Sequence, residues 1–177
     1  MKLTAIIAAL AGALTLTFGG TAFAASGSSG GGSAPIVCKT GYVYSKAKQI
    51  CVKVDAGLLG DKDLYEQGHA LAKAGHYEAA LAALTPIEDQ SDSMVLTMIG
   101  YALRKSGEWD DGVAYYHRAL AIDPDNINTR EYLGEAFLSK GRLHLAQEQF
   151  ARIETIAGTE SEQYQELAFA IAEGSTW

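Results

Sequence analysis

The chain has 177 residues, of which 48% are hydrophobic and 20% charged, with a formal net charge of −7. That length allows one ordinary domain with extensions, and the apolar fraction is enough to bury a core. The acidic balance excludes a general affinity for nucleic acid or anionic lipid, because both demand a cationic surface.

The first element in chain order is a targeting segment. Lys2 supplies a positive start, residues 3–16 form an almost uninterrupted run of Leu, Ile, Ala, Gly and Thr, and Ala22-Phe23-Ala24 gives the small-x-small pattern that a signal peptidase needs. The run falls short of the roughly 20 apolar residues that span a bilayer. Residues 1–24 are therefore expected to be a Sec-type signal peptide, cleaved near Ala24. The product is expected to be periplasmic or secreted, with no stable membrane anchor after cleavage. Residues 25–36 begin ASGSSGGGSA, which buries nothing and predicts a flexible linker.

Residues 37–55 hold the only two cysteines, Cys38 and Cys51. An oxidising compartment would let them join, no histidine lies nearby to complete a metal site, and the spacing is not that of a redox pair. Two short runs rich in β-branched and aromatic residues, around Tyr42-Val43-Tyr44 and Ile50-Cys51-Val52, flank a polar stretch and predict a disulfide-closed β-hairpin. The pattern Cys38-x-x-Gly41-Tyr42-x-Tyr44…Cys51-Val52 resembles half of a peritrophin-type chitin-binding module, with two cysteines where that family uses more. That resemblance implies an alternative function, a cell-wall or glycan-associated protein using this hairpin. Gly57 and Gly60 mark a second hinge before the helical part.

From Asp61 onward apolar residues recur every three or four positions, a helical period. A longer repeat lies over it. Gly68, Gly100 and Gly134 are spaced 32 and 34 residues apart, and so are Gly75, Gly107 and Gly141. The columns Ala80/Gly112/Ala146, Leu84/Tyr116/Phe150, Tyr77/Trp109/Leu143 and Leu71/Leu103/Phe137 keep the same register. A period near 34 with these residue types is the signature of helix-turn-helix repeats. The first helix of each pair should carry a small residue for close packing, the second glycine should end that helix, and Tyr77, Trp109 or Leu143 should plug the core beside the turn. Pro86 should shorten the second helix of repeat one to an end near Leu84, and Asn126 or its neighbour should cap the helix after Pro124.

On these residues the chain resembles the tetratricopeptide-repeat (TPR) family, most clearly in Gly100-x-x-Leu103-x-x-x-Gly107-x-Trp109-x-x-Gly112-x-x-x-Tyr116-x-x-Ala119, which runs on to Asp123-Pro124. The fold expected is all-α, a solenoid of three repeats at about 61–92, 93–126 and 127–160 within residues 61–174. A capping helix at 161–173 follows, and the disulfide-closed β-hairpin precedes it. In that family the first helices line a concave groove that holds a peptide or a helix. Register then places Lys62, Tyr65, His69 and Lys73, then Met94, Thr97, Tyr101, Arg104 and Lys105, then Asn128, Glu131, Glu135 and Leu138 in the groove. Its first two-thirds would be basic and aromatic, suited to an acidic or C-terminal segment of a partner protein, or else a solvated face without a ligand. Self-association is a further alternative.

No Gly-x-Ser-x-Gly, His-Glu-x-x-His, phosphate-binding glycine loop or dinucleotide fingerprint occurs, and Asp123-x-Asp125-x-x-Asn128 lacks the glycine and distal glutamate of a calcium loop. The expectation is a non-catalytic interaction module without cofactor or metal.

Overall fold

The computed structural model describes residues 34–54 and 59–174. The segment read as a signal peptide, residues 25–33 of the linker and residues 55–58 of the expected hinge lie outside the described residues.

Strands β1 (Tyr42–Ser45) and β2 (Ile50–Lys53) pair antiparallel, with Val43 opposite Val52 and Tyr44 opposite Cys51. Alternation sends Val43, Ser45 and Val52 to one buried face. Cys38 and Cys51 are joined, their Cα atoms 5.9 Å apart, which ties the segment before β1 to β2. A two-stranded ribbon is marginal in water, and here two supports hold it: the covalent tie and a partner surface. Val43 enters the same apolar core as Leu64, Leu71 and Leu84, and the Gln67 side-chain amide donates to the Tyr44 carbonyl. The hairpin thus closes the N-terminal end of the helical stack, an end that would otherwise leave apolar surface in water.

Seven helices follow among the described residues: α1 (Asp61–Lys73), α2 (Tyr77–Leu84), α3 (Ser93–Ser106), α4 (Trp109–Ile122), α5 (Ile127–Leu138), α6 (Leu143–Ala157) and α7 (Glu162–Ala172). Successive helices pair as α1–α2, α3–α4 and α5–α6. Each pair turns on a glycine in the left-handed region, Gly75, Gly107 and Gly141 at φ of +84°, +112° and +67°. There a β-carbon is unfavourable, and the first helix ends. Asp92 and Asn126 accept hydrogen bonds from the amides of Met94 and Thr129 and so start α3 and α5. Helix α2 stops at Leu84, two residues before Pro86: Thr85 still has helical backbone and donates to the Leu81 carbonyl, but Pro86 has no amide hydrogen to carry the ladder on.

The small-residue columns are close approaches. A β-carbon on Gly100 would lie 2.8 Å from the Gly112 carbonyl oxygen and 2.9 Å from a Tyr116 ring carbon, so α3 and α4 meet backbone to backbone. Gly68 receives Leu84 of its own pair, whereas Gly134 receives Leu167 of α7 rather than Phe150 of α6. Helix α7 therefore packs into α5 and covers the last pair. Tyr116, Leu84, Leu96 and Leu133 are wholly buried; each such side chain contributes roughly 1.5–3 kcal/mol.

One core expectation is corrected. Tyr77 and Trp109 are half-buried beside their turns, and the Trp109 indole N–H donates to the Ala136 carbonyl at 3.1 Å in the next pair. Leu143 remains 46% exposed. Among the described residues α7 is the one helix that follows its pair.

Candidate functional site

Helices α1, α3, α5 and α7 each touch the next in that series directly, whereas no comparable contact joins α2 to α4 or α4 to α6. The inner row is the tighter one, so its exposed side is the concave face of the stack. This face is the candidate site, and the residues that repeat register assigned to it fall into three groups.

The first group forms an aromatic and cationic surface. Tyr101 of α3 is half-buried, its ring centre 6.5 Å from Tyr77 and 4.9 Å from Tyr132. The Lys73 ammonium of α1 lies 5.5 Å from the centres of both Tyr101 and Tyr132, and 3.4 Å from the Tyr132 hydroxyl, to which it donates. Lys105 sits 5.8 Å from Tyr101 on its own helix. Partial burial, with Arg104 close by, lowers the proton affinity of Lys105. Nearer the start of α1, Tyr65 and His69 lie 6.0 Å apart, and partial burial with Lys73 nearby holds His69 below its ordinary value. Lys62 is fully in solvent, 4.0 Å from Glu66 one turn on.

The second group lies inside the protein instead, a correction to the expected groove. Thr97 is wholly buried: its hydroxyl donates to the Ser93 carbonyl at 2.7 Å and pairs with the Thr129 hydroxyl at 2.5 Å. Asn126, which caps α5, also donates to Ser93 at 2.8 Å. These polar contacts join α3 to α5 at their N-terminal ends, and a ligand cannot reach them. Arg104 is 7% exposed. Its guanidinium meets the Glu135 carboxylate at 2.7 Å and the Tyr116 hydroxyl at 3.3 Å. Burial alone would depress Arg104, but Tyr116 and Glu135 outweigh it and raise its affinity for the proton. Arg104 is therefore not a cation available to an acidic partner, because Glu135 already answers it.

The third group is acidic. Glu131 of α5 is 3% exposed, and burial with the neighbouring Glu166 carboxyl of α7 pushes it up to about 9. Two carboxyl groups, Glu131 of α5 and Glu166 of α7, therefore stand together where these helices meet. Asn128 accepts from the Gln163 side chain at 2.8 Å. Gln163 and Glu166 of α7 thus face α5. Leu138 packs partly buried between the two core regions, and Met94 is exposed at the start of α3. The site as built thus runs from cations and tyrosines at α1 and α3 to carboxylates at α5 and α7.

Register alone missed Tyr132, Glu166 and Phe169. Had α7 been read as a fourth inner helix, the interval of 34 residues from Glu135 would have pointed to Phe169.

A second cleft, about 430 Å³, opens between the disulfide segment (Val37, Cys38, Lys39, Tyr42) and the α1–α2 turn (Gly75, His76, Tyr77). Among the described residues no helix is long and apolar enough to cross a membrane.

The class defined by this architecture is a solenoid of stacked helical hairpins with one concave face open. In particular, a family model described as TPR repeat matches residues 100–141, from within α3 to the turn after α5, so this segment is similar to tetratricopeptide repeats. The structure is similar to MamA, with a TM-score of 0.56 at 19% identity, over 68% of this chain and 71% of that one. It is also similar to the Yersinia enterocolitica type III secretion translocator chaperone SycD, with a TM-score of 0.55 at 19% identity, over 64% of this chain and 87% of that one. SycD is known too in complex with a peptide of the translocator YopD, and that structure matches with a TM-score of 0.54 at 19% identity over the same shares. At these identities the likeness is one of fold. No curated protein matches the chain in sequence.

Proposed function

We propose that the chain is a non-catalytic adaptor that holds an extended segment of a partner protein along the concave face of α1, α3, α5 and α7, and that it does so after export to the periplasm. The observation that carries this reading is the surface made by Lys73, Tyr101 and Tyr132. Tyrosines with a cation over their rings offer flat, stiff contact area at low entropic cost, and such residues dominate binding energy at interfaces. The peptide complex of SycD, a protein of similar fold, supports peptide capture by such a stack. Export is supported by the pattern of residues 1–24 together with the Cys38–Cys51 bond, which persists in oxidising compartments.

Lys73, set over the Tyr101 and Tyr132 rings with Lys105 also beside Tyr101, favours an acidic stretch at the α1–α3 end. Reversing Arg104 along with them would unfold the chain, because a carboxylate there would face Glu135 inside the protein. The test is therefore a photoreactive phenylalanine analogue placed at Tyr101, compared with one at Arg118 on the outer helix α4. Crosslinks to a partner in the native envelope are expected at 101, with loss in the Lys73→Glu/Lys105→Glu background. Equal crosslinking from both positions, or none from 101, would reject the groove.

A further inference from the structure

The concave face ends in a cavity of about 380 Å³ between α5 and α7, lined by Glu135, Gln165, Glu166 and Phe169. Two properties of its wall stand apart from the rest of the face. Phe169 is 61% exposed, the largest such value among the exposed large hydrophobic residues described, while its helix neighbours Leu167 and Ala170 are buried against α5 and α6. An open aromatic ring beside a concavity of this size is contact surface waiting for an apolar group. The second property is charge. Arg104 answers Glu135, but the Glu166 carboxyl is met by the Glu131 carboxyl, not by a cation, among the described residues. The groove and the open ring make the site, and the carboxylates select what fills it.

We propose that this cavity seats a Lys or Arg side chain of the bound segment, its cation between Glu166 and Glu135 and its neighbouring aliphatic residue against Phe169. This rests on the adaptor reading and adds the chemistry of the partner: acidic where it crosses Lys73 and Tyr101, basic and aliphatic where it crosses α5 and α7.

The experiment is an NMR titration of the full chain with two capped hexapeptides, Gly-Ser-Arg-Leu-Ser-Gly and Gly-Ser-Glu-Leu-Ser-Gly. The basic peptide is expected to shift the signals of Glu135, Glu166 and Phe169. Its affinity should fall about tenfold in Glu166→Gln and in Phe169→Ala, two changes at exposed positions, with the rest of the spectrum unchanged. If the basic peptide moves none of these signals, or binds Glu166→Gln as tightly as the parent, the proposal is overturned. Should the acidic peptide still shift Lys73 and Tyr101 in that case, the adaptor reading stands without it. If neither peptide moves any signal of α1, α3, α5 or α7, both fall.

Discussion

The Arg104 guanidinium and the Glu135 carboxylate lie 2.7 Å apart with their side chains 4% and 12% exposed, joining the middle pair of helices to the third across the inner row. Ions this deep are costly to leave alone. Removing one partner of such a pair is destabilising by roughly 3–5 kcal/mol, whereas replacing both with apolar groups is often near neutral. Arg104→Met should therefore lose about 3 kcal/mol in a denaturant titration, and adding Glu135→Leu should recover most of that. A double variant no more stable than the single would show that the pair does not work this way.

Stability should also fall as pH rises from 6 to 9. Glu131 holds its proton up to about 9 in the folded chain, whereas the unfolded carboxyl has released it far below that, so the folded state binds more protons across this window. Folding then becomes less favourable as pH climbs through it. His69, whose burial favours the neutral ring, penalises folding as pH falls below its ordinary 6.5, so it opposes the trend only at the lower edge of this window. Glu131→Gln should flatten the melting temperature between pH 6 and 9, each kcal/mol being worth roughly 2–4 °C for a chain of this size. A parent protein with equal melting temperatures at both pH values would contradict a raised Glu131.

Much of this fold was legible because a repeat declares itself several times over. The glycine columns gave the turns, Pro86 gave the end of α2, and Asn126 gave the cap of α5. The site was legible only in part, because register tells which helix face a residue occupies and not what stands opposite. Thr97 and Arg104 occupy groove positions, yet Thr129 and Glu135 on the next inner helix approach closely enough to bury them. Leu143 shows the same limit from the other side: its column predicts a plug, yet its side chain is largely uncovered. Glu166 and Phe169 were hidden because α7 reads as a cap rather than as a fourth inner helix.

The disulfide should protect the first helical pair far more than the last. Cys38 and Cys51 are 13 residues apart, and closing a loop of that size contributes roughly 3 kcal/mol in the chain-entropy model. The hairpin that it holds covers Leu64 and receives Gln67, both on α1. The Cys38→Ser/Cys51→Ser variant should show faster amide exchange across α1 and α2, with α5 to α7 close to the parent, since stability in a stack is passed between neighbours. Equal loss of protection in every helix would mean the stack unfolds as one unit.

The approach of α3 to α4 sets the most demanding position in the stack. A methyl group at Gly100 would lie 2.8 Å from the Gly112 carbonyl oxygen, a backbone atom that cannot rotate away. A methyl at Gly68 meets the Leu84 side chain, its Cγ and a methyl at 2.6 Å, so that buried side chain must repack while no backbone atom has to move. Alanine is otherwise the better helix former by roughly 0.5–1 kcal/mol, so the two substitutions share the same intrinsic gain and differ in the clash. Gly100→Ala should be destabilising by about 1–3 kcal/mol, the usual consequence of overpacking, and Gly68→Ala by clearly less. Thermal melts of the two variants measure the difference, and a Gly100→Ala protein as stable as the parent would mean that α3 and α4 are farther apart than described.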